Sequence, residues 1–409
     1  MHMNNLKKTY DRADIEYEDR QISYFIISYY LVHTLNLTIK YIFPIPVDLY
    51  SQVSIILGII LVVFFLKSIR IVLKRSLIPF VFCEFFLLSL FLLSYLMGNA
   101  ELSLLLENAV WAMIICLPLG IYMYSISNKG IFYKLFIKSS LIMSILLFLS
   151  IVFNEKDISY SMPFSYALLV PTLFHINEFF ERGRKIYLCI SLIEIISIIL
   201  FGSRGALISI AFFLILKFIL NEKNLIKKIS VIFIILITLI IIYFNFDRLG
   251  MVILEYLAEE GYYSRTLYLL FSNRITYDSG RFEIFKYYLN LVKQKPFLGW
   301  GVLGGWIKKG SGPHNMLIEV LLAFGVIVGG LINLLLLLSQ FRIFFVKDKK
   351  TRDLLAIYMS ICIVLFFVSG NVLQKPNLFI FLGLVLSSFK HRKRKIDIGG
   401  VKYDYTTEK

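Results

Sequence analysis

A few residues in this chain stand where an anion could be held and a proton moved. Arg204 lies in Gly202-Ser203-Arg204-Gly205, between two apolar stretches. A guanidinium offers planar, multidentate donors that match phosphate oxygens, and beside apolar helices it must be paired or wet. The plain alternative is an arginine reaching out to lipid headgroups. Arg281 follows Ser279-Gly280 in the first turn of a helical pattern, where free N–H groups already favour anions. It is a second phosphate clamp or an ordinary exposed arginine. Arg265 and Arg274 are further candidate substrate ligands, with simple solvation as the alternative. His314, in Pro313-His314-Asn315, opens a long apolar stretch. Imidazole suits base chemistry near neutrality, and the alternative is a structural histidine at a helix start. Asn315 stands beside it as a candidate substrate-binding residue.

Gly299-Trp300-Gly301-Val302-Leu303-Gly304 fits GxGxxG. A dinucleotide site would need a preceding strand and a following helix in a βαβ unit, so that reading is rejected. Gly301 gives either backbone freedom beside a bound headgroup or a simple turn. The two tryptophans, Trp300 and Trp306, suit a lipid–water boundary. Glu84, Glu107, Glu194, His33 and His175 fall within or at the ends of apolar blocks. With no pairing visible they are treated as packing or interfacial groups, although intramembrane ionisable residues are functional candidates by default.

The elements around these residues are greasy. The chain has 409 residues, 58% of them hydrophobic, with a mean hydropathy of +0.76. The apolar residues come in blocks of about 20, the length that crosses a bilayer, which excludes a purely soluble protein. A formal charge of +16 could suggest nucleic acid, but the cations cluster in short gaps between apolar blocks, where they set orientation. Cys83, Cys116, Cys189 and Cys362 all lie in apolar blocks without CxxC or Cys/His spacing. They are expected to be small buried residues rather than a disulfide frame or a metal site.

About twelve spans are expected, near 22–39, 49–66, 77–97, 105–124, 133–153, 160–179, 186–202, 205–220, 228–245, 314–338, 354–371 and 376–389. Residues 1–21 read as a cytoplasmic tail with no cleavable signal peptide, and 390–409 as a basic cytoplasmic tail. The gaps with Lys67, Arg70, Lys74 and Arg75, with Lys129 and Lys134, with Arg182, Arg184 and Lys185, and with Lys347, Lys349 and Lys350 are assigned to the inside. The sparser gaps with Lys40, Lys156, Arg204 and Lys375 are assigned to the outside. The transmembrane blocks are thus 22–245 and 314–389, joined by an external segment, 246–313. In it Phe282, Phe285, Tyr288, Leu289 and Val292 recur at helical spacing, an amphipathic helix for the outer surface.

Together, FGSRGALISIAFFLIL at 201–216, Ser279-Gly280-Arg281 in an external segment, and KPFLGWGVLGGW and GPHNMLIEVLLAFGVIVGGLI within 295–332 resemble the O-antigen polymerase and ligase superfamily. The likeness covers about 200–332. It implies an all-α, polytopic, GT-C-like glycosyltransferase in a bacterial inner membrane, acting on the external face on undecaprenyl-diphosphate-linked oligosaccharide as donor and acceptor. It implies no cofactor, no metal and no nucleic acid, and membrane lipids, a chain-length regulator and a flippase as partners. In that likeness Arg204 and Arg281 bind the lipid diphosphate and His314 is the base that activates the acceptor. The choice leans to a polymerase, because sequences of that group are many and variable. A ligase that transfers glycan to lipid A core is the near alternative. A transporter or flippase of lipid-linked sugars is the alternative from another class.

Overall fold

A computed structural model describes residues 2–43, 46–98, 101–153, 161–201, 204–221, 281–306, 312–368, 371–390, 394–398 and 401–405. Its helices are α1 (His2–Ile42), α2 (Val47–Leu96), α3 (Leu102–Trp111), α4 (Leu117–Ser125), α5 (Lys129–Val152), α6 (Met162–Arg182), α7 (Lys185–Phe201) and α8 (Arg204–Asn221). They continue as α9 (Arg281–Gln294), α10 (Met316–Gln340), α11 (Lys349–Val368) and α12 (Pro376–Ser387). Six segments among the described residues are long and apolar enough to cross a membrane. Large apolar side chains on several of them stay exposed, including Ile78, Phe85 and Val152, as expected where lipid rather than protein covers a helix. The protein is therefore an integral membrane protein. The expected span 228–245, with most of the expected external segment, lies outside the described residues.

Ion pairs fix one end of the bundle. Arg75 joins Glu18 and Asp19 at 2.6 and 2.5 Å. Asp19 also accepts from the N–H groups of Ser127 and Asn128, which ties the α4–α5 turn to α1. Lys217 meets Asp353 at 2.6 Å and Glu181 at 3.2 Å, and Lys349 meets Glu181 at 2.6 Å. The C-termini of α6 and α8 and the N-terminus of α11 therefore share this basic end. At the other end Tyr41 is hydrogen-bonded to Ser161, and Gly205 packs on Tyr166 and Val364.

Several boundaries differ from the sequence expectation. The polar N-terminal stretch, expected as a cytoplasmic tail, is the first part of α1 and runs without a break into the expected first span. Spans 49–66 and 77–97 are two arms of α2. Ser54 meets Asn36 far from the basic end, Arg75 sits at the basic end, and Ser94 is back against Val302. The reversal falls at Ser76, whose φ of −151° and ψ of 34° leave the helix. Pro79 follows, and its ring excludes the helical position of the carbonyl four residues before it, that of Arg75. The expected loop of cations is thus helix up to the break. A π-helical turn at Ala112–Cys116 separates α3 from α4 just ahead of Pro118, for the same steric reason.

The remaining differences concern the tail and the cysteines. The basic C-terminal stretch contains a two-stranded antiparallel hairpin, β1 (Arg394–Ile398) with β2 (Val401–Tyr405), an exception to the all-α expectation. Cys116 and Cys362 are buried and Cys83 is half-buried. Cys189 is exposed on α7, so it is not a core cysteine.

Candidate functional site

The expected span 314–338 is not one straight helix. Within α10, Gly325 has φ 74° and ψ 178°, and the chain folds back on itself there. Asn333 Nδ2 donates to the Leu317 carbonyl at 2.9 Å, although the two would stand about 24 Å apart in an unbroken helix. A Cβ on Gly329 would lie 2.7 Å from the Val320 carbonyl, which sets the two arms side by side. Residues 316–324 therefore form a half-helix that climbs to the turn, while the arm after Gly325 runs the other way towards the basic end. There Arg342, just past α10, donates to Ser388 at 2.8 Å.

This reverses the expected depth of the histidine. Leu317 is level with Asn333, eight residues and about 12 Å beyond the turn. His314 and Asn315 thus begin a half-helix inside the bundle, whereas a straight span over 314–338 following an external segment would place them at its outer end. The helix starts at Met316, two residues after the expected start of the span. Asn315 is its cap, accepting from the Ile318 N–H at 3.1 Å, and His314 precedes it in a left-handed conformation, φ 51°. The His314 side chain is exposed, whereas Asn315 is buried.

The glycine-rich loop holds the other end of the half-helix. Its N–H groups at Trp300 and Gly301 donate to the carbonyls of Leu322 and Ala323, at 2.8 and 3.0 Å, and Val326 N–H donates to the Pro296 carbonyl at 2.6 Å. Carbonyls left unpaired where a helix stops are satisfied in this way. Gly301 has φ 78°, and a Cβ there would lie 3.0 Å from Ser94 Oγ, so the loop backbone rests directly on α2. Of the two readings of this loop, the turn is the one with visible contacts. Trp300 is buried, its indole N–H donating to the Leu291 carbonyl at 2.9 Å, which removes it from the expected lipid–water edge.

α9 is amphipathic, as expected, but with a different buried stripe. Tyr288, Leu291 and Val292 pack with Trp300 and Leu322, joined by Ile284. Phe282 (72% exposed) and Leu289 face outward. The half-helix, the glycine loop and α9 therefore form one unit.

Arg204 is the first residue of α8, half-buried, at the end where Gly205 meets Tyr166 and Val364. The half-helix reaches that same end: Glu319 Oε2 accepts from Val372 N–H at 3.2 Å, just past the end of α11. Arg204 and the half-helix carrying His314 are thus on the side of the bundle away from the basic end. Arg281 opens α9, which packs on the half-helix. Arg265 and Arg274 lie outside the described residues.

Two polar groupings escaped the sequence reading. Glu319 (8% exposed) is buried one turn beyond Asn315, with the positive charge of Lys375 nearby. Asn371, at φ 62°, donates to Asn108 Oδ1 at 2.5 Å. An acidic residue five positions after His314 in an apolar run was the available signal. Deeper among α5, α6 and α7, His175 Nδ1 meets Glu194 at 2.9 Å and His175 Nε2 meets Ser140 Oγ at 2.9 Å. Ser144 also bonds Glu194, and His175 and Glu194 are both 0% exposed. These two residues, unpaired in the sequence reading, are each other's partner. Glu84, Glu107 and His33 remain partly or fully exposed.

No curated protein and no solved structure matches the chain. A family model described as O-antigen ligase matches residues 189–332, which run from α7 through the turn of α10 and include Arg204, Arg281 and His314. Over this segment the chain is similar to the O-antigen polymerase and ligase superfamily.

Proposed function

We propose that the protein joins oligosaccharide repeat units carried on undecaprenyl diphosphate, as a surface-polysaccharide polymerase. The observation that supports this most is a half-helix starting inside the bundle, with His314 at its foot, on the same side as Arg204. A half-helix that begins within a membrane protein turns its positive end towards an anionic group.

In this reading Arg204 and Arg281 grip the donor's diphosphate from two elements. His314 takes the proton from an acceptor hydroxyl as its oxygen attacks the anomeric carbon. The bond from that carbon to the diphosphate oxygen breaks, its electron pair leaves with undecaprenyl diphosphate, and the configuration inverts. The charge that develops on the leaving group falls on fixed cations in a site from which water is largely excluded. α9, with Phe282 and Leu289 turned outward, lies over the site at the membrane surface.

The full chain, reconstituted in vesicles with a lipid-linked repeat unit, should form a ladder of longer glycans. His314→Ala should abolish that ladder while leaving the melting temperature of the protein unchanged. A ladder of normal rate from His314→Ala would overturn the assignment of the base. The family description favours a second reading, a ligase, which predicts product only when lipid A core is supplied. Movement of the lipid between leaflets with no new glycosidic bond would instead make the protein a transporter.

A further inference from the structure

At the basic end, α1, α5, α6 and the start of α7 enclose a cleft of about 690 Å³. It lies opposite the half-helix and takes no part in the chemistry above. Five cations line it, Arg20, Lys134, Lys138, Arg182 and Arg184, against two carboxylates, Glu16 and Glu178. Glu178 is already committed, to Arg182 at 2.7 Å and to the Tyr133 hydroxyl at 3.0 Å. Arg20, Lys134, Lys138 and Arg184 are exposed and have no carboxylate partner among the described residues.

Lys134 and Lys138 stand four residues apart on one face of α5, where like charges repel. Lys138 is also about 13 Å along that helix from its start, deeper than a cation set at the surface only to fix orientation. The same face of α5 continues as Ile142, Ile145 and Leu149, all exposed. Across from it α7 exposes Leu188, Leu192 and Ile196. Cations towards the basic end and bare apolar side chains beyond them match the two halves of an amphiphile with an anionic head.

We propose that this cleft is a binding site for one anionic phospholipid. Its phosphate sits among Lys134, Lys138 and Arg184, and its acyl chains lie along Ile142 and Ile145. Basic pockets between transmembrane helices select anionic headgroups in this way, and the charge bias assigns this end to the cytoplasmic leaflet. The proposal is independent of the assigned reaction.

The test is titration of the full chain in detergent with dioctanoyl phosphatidylglycerol, dioctanoyl phosphatidylcholine or inorganic phosphate, followed by microscale thermophoresis. Phosphatidylglycerol should bind saturably and the other two weakly. At about five-fold per cation, the Lys134→Ala/Lys138→Ala/Arg184→Ala protein should bind it about 100-fold less tightly. Lys67→Ala/Lys74→Ala, which removes two cations outside the cleft, should bind as wild type, and Lys134→Arg/Lys138→Arg should keep most of the affinity. Equal binding of both lipids, or equal loss in the Lys67/Lys74 variant, would overturn the proposal. Phosphate binding as tight as the lipid's would also overturn it, and would make the cleft a soluble-anion site.

Discussion

Arg204 shows what a single side chain contributes and what its neighbours decide. Its guanidinium is carried on the first turn of α8, and Gly205 lets α8 press against Tyr166 and Val364. If it holds the donor diphosphate, Arg204→Ala should lower the initial rate of glycan extension by about 100-fold or more. Arg204→Lys keeps the charge but loses the planar fork, and should fall between that and wild type. An Arg204→Ala protein working at the normal rate would remove the residue from the site. Glu319 was missed because an acidic residue in an apolar run reads as a solvation problem. Its answer, the Val372 N–H and the charge of Lys375, comes from residues more than fifty positions away.

At the scale of elements, the turn of α10 rests on Gly325. Its φ of 74° and ψ of 178° fall in a region essentially reserved for glycine, and a Cβ there would meet the carbonyls of Phe297 and Pro296. Gly325→Ala is expected to destabilise the protein by about 3 kcal/mol or more, read as a lower melting temperature in detergent, with loss of activity as the half-helix leaves its place. Gly330→Ala is the internal comparison. No atom lies near its Cβ position, so it should melt as wild type. Equal melting of Gly325→Ala and wild type would mean that the fold-back is not part of the protein in the membrane.

For the whole molecule, the basic end is held by charges taken out of water. Lys217 and Asp353, each 3% exposed, meet at 2.6 Å between α8 and α11. Removing one partner of such a pair leaves a buried charge only partly compensated. Asp353→Ala should therefore lose about 3 kcal/mol, somewhat offset by Glu181. Lys217→Met/Asp353→Leu, which removes both charges, should be less destabilised than Asp353→Ala in the same thermal melt. A double variant worse than the single one would show that the pair itself stabilises the bundle.

The sequence alone determined that this chain is built of apolar helices long enough to cross a membrane, and which stretch resembles the O-antigen polymerase and ligase superfamily. Those follow from apolar block length, charge spacing and local motif, all properties of neighbours in the chain. It did not show that α2 and α10 fold back, that His314 lies at the foot of a half-helix, or that His175 meets Glu194. The apolar run of 316–340 has no polar gap to announce a turn, and one glycine in it reads the same whether the helix passes straight or reverses. Only the tertiary structure decided these. Backbone direction at Gly325 is set by what packs around it, the loop at Pro296 to Gly301 and the facing arm, and no local pattern records that packing.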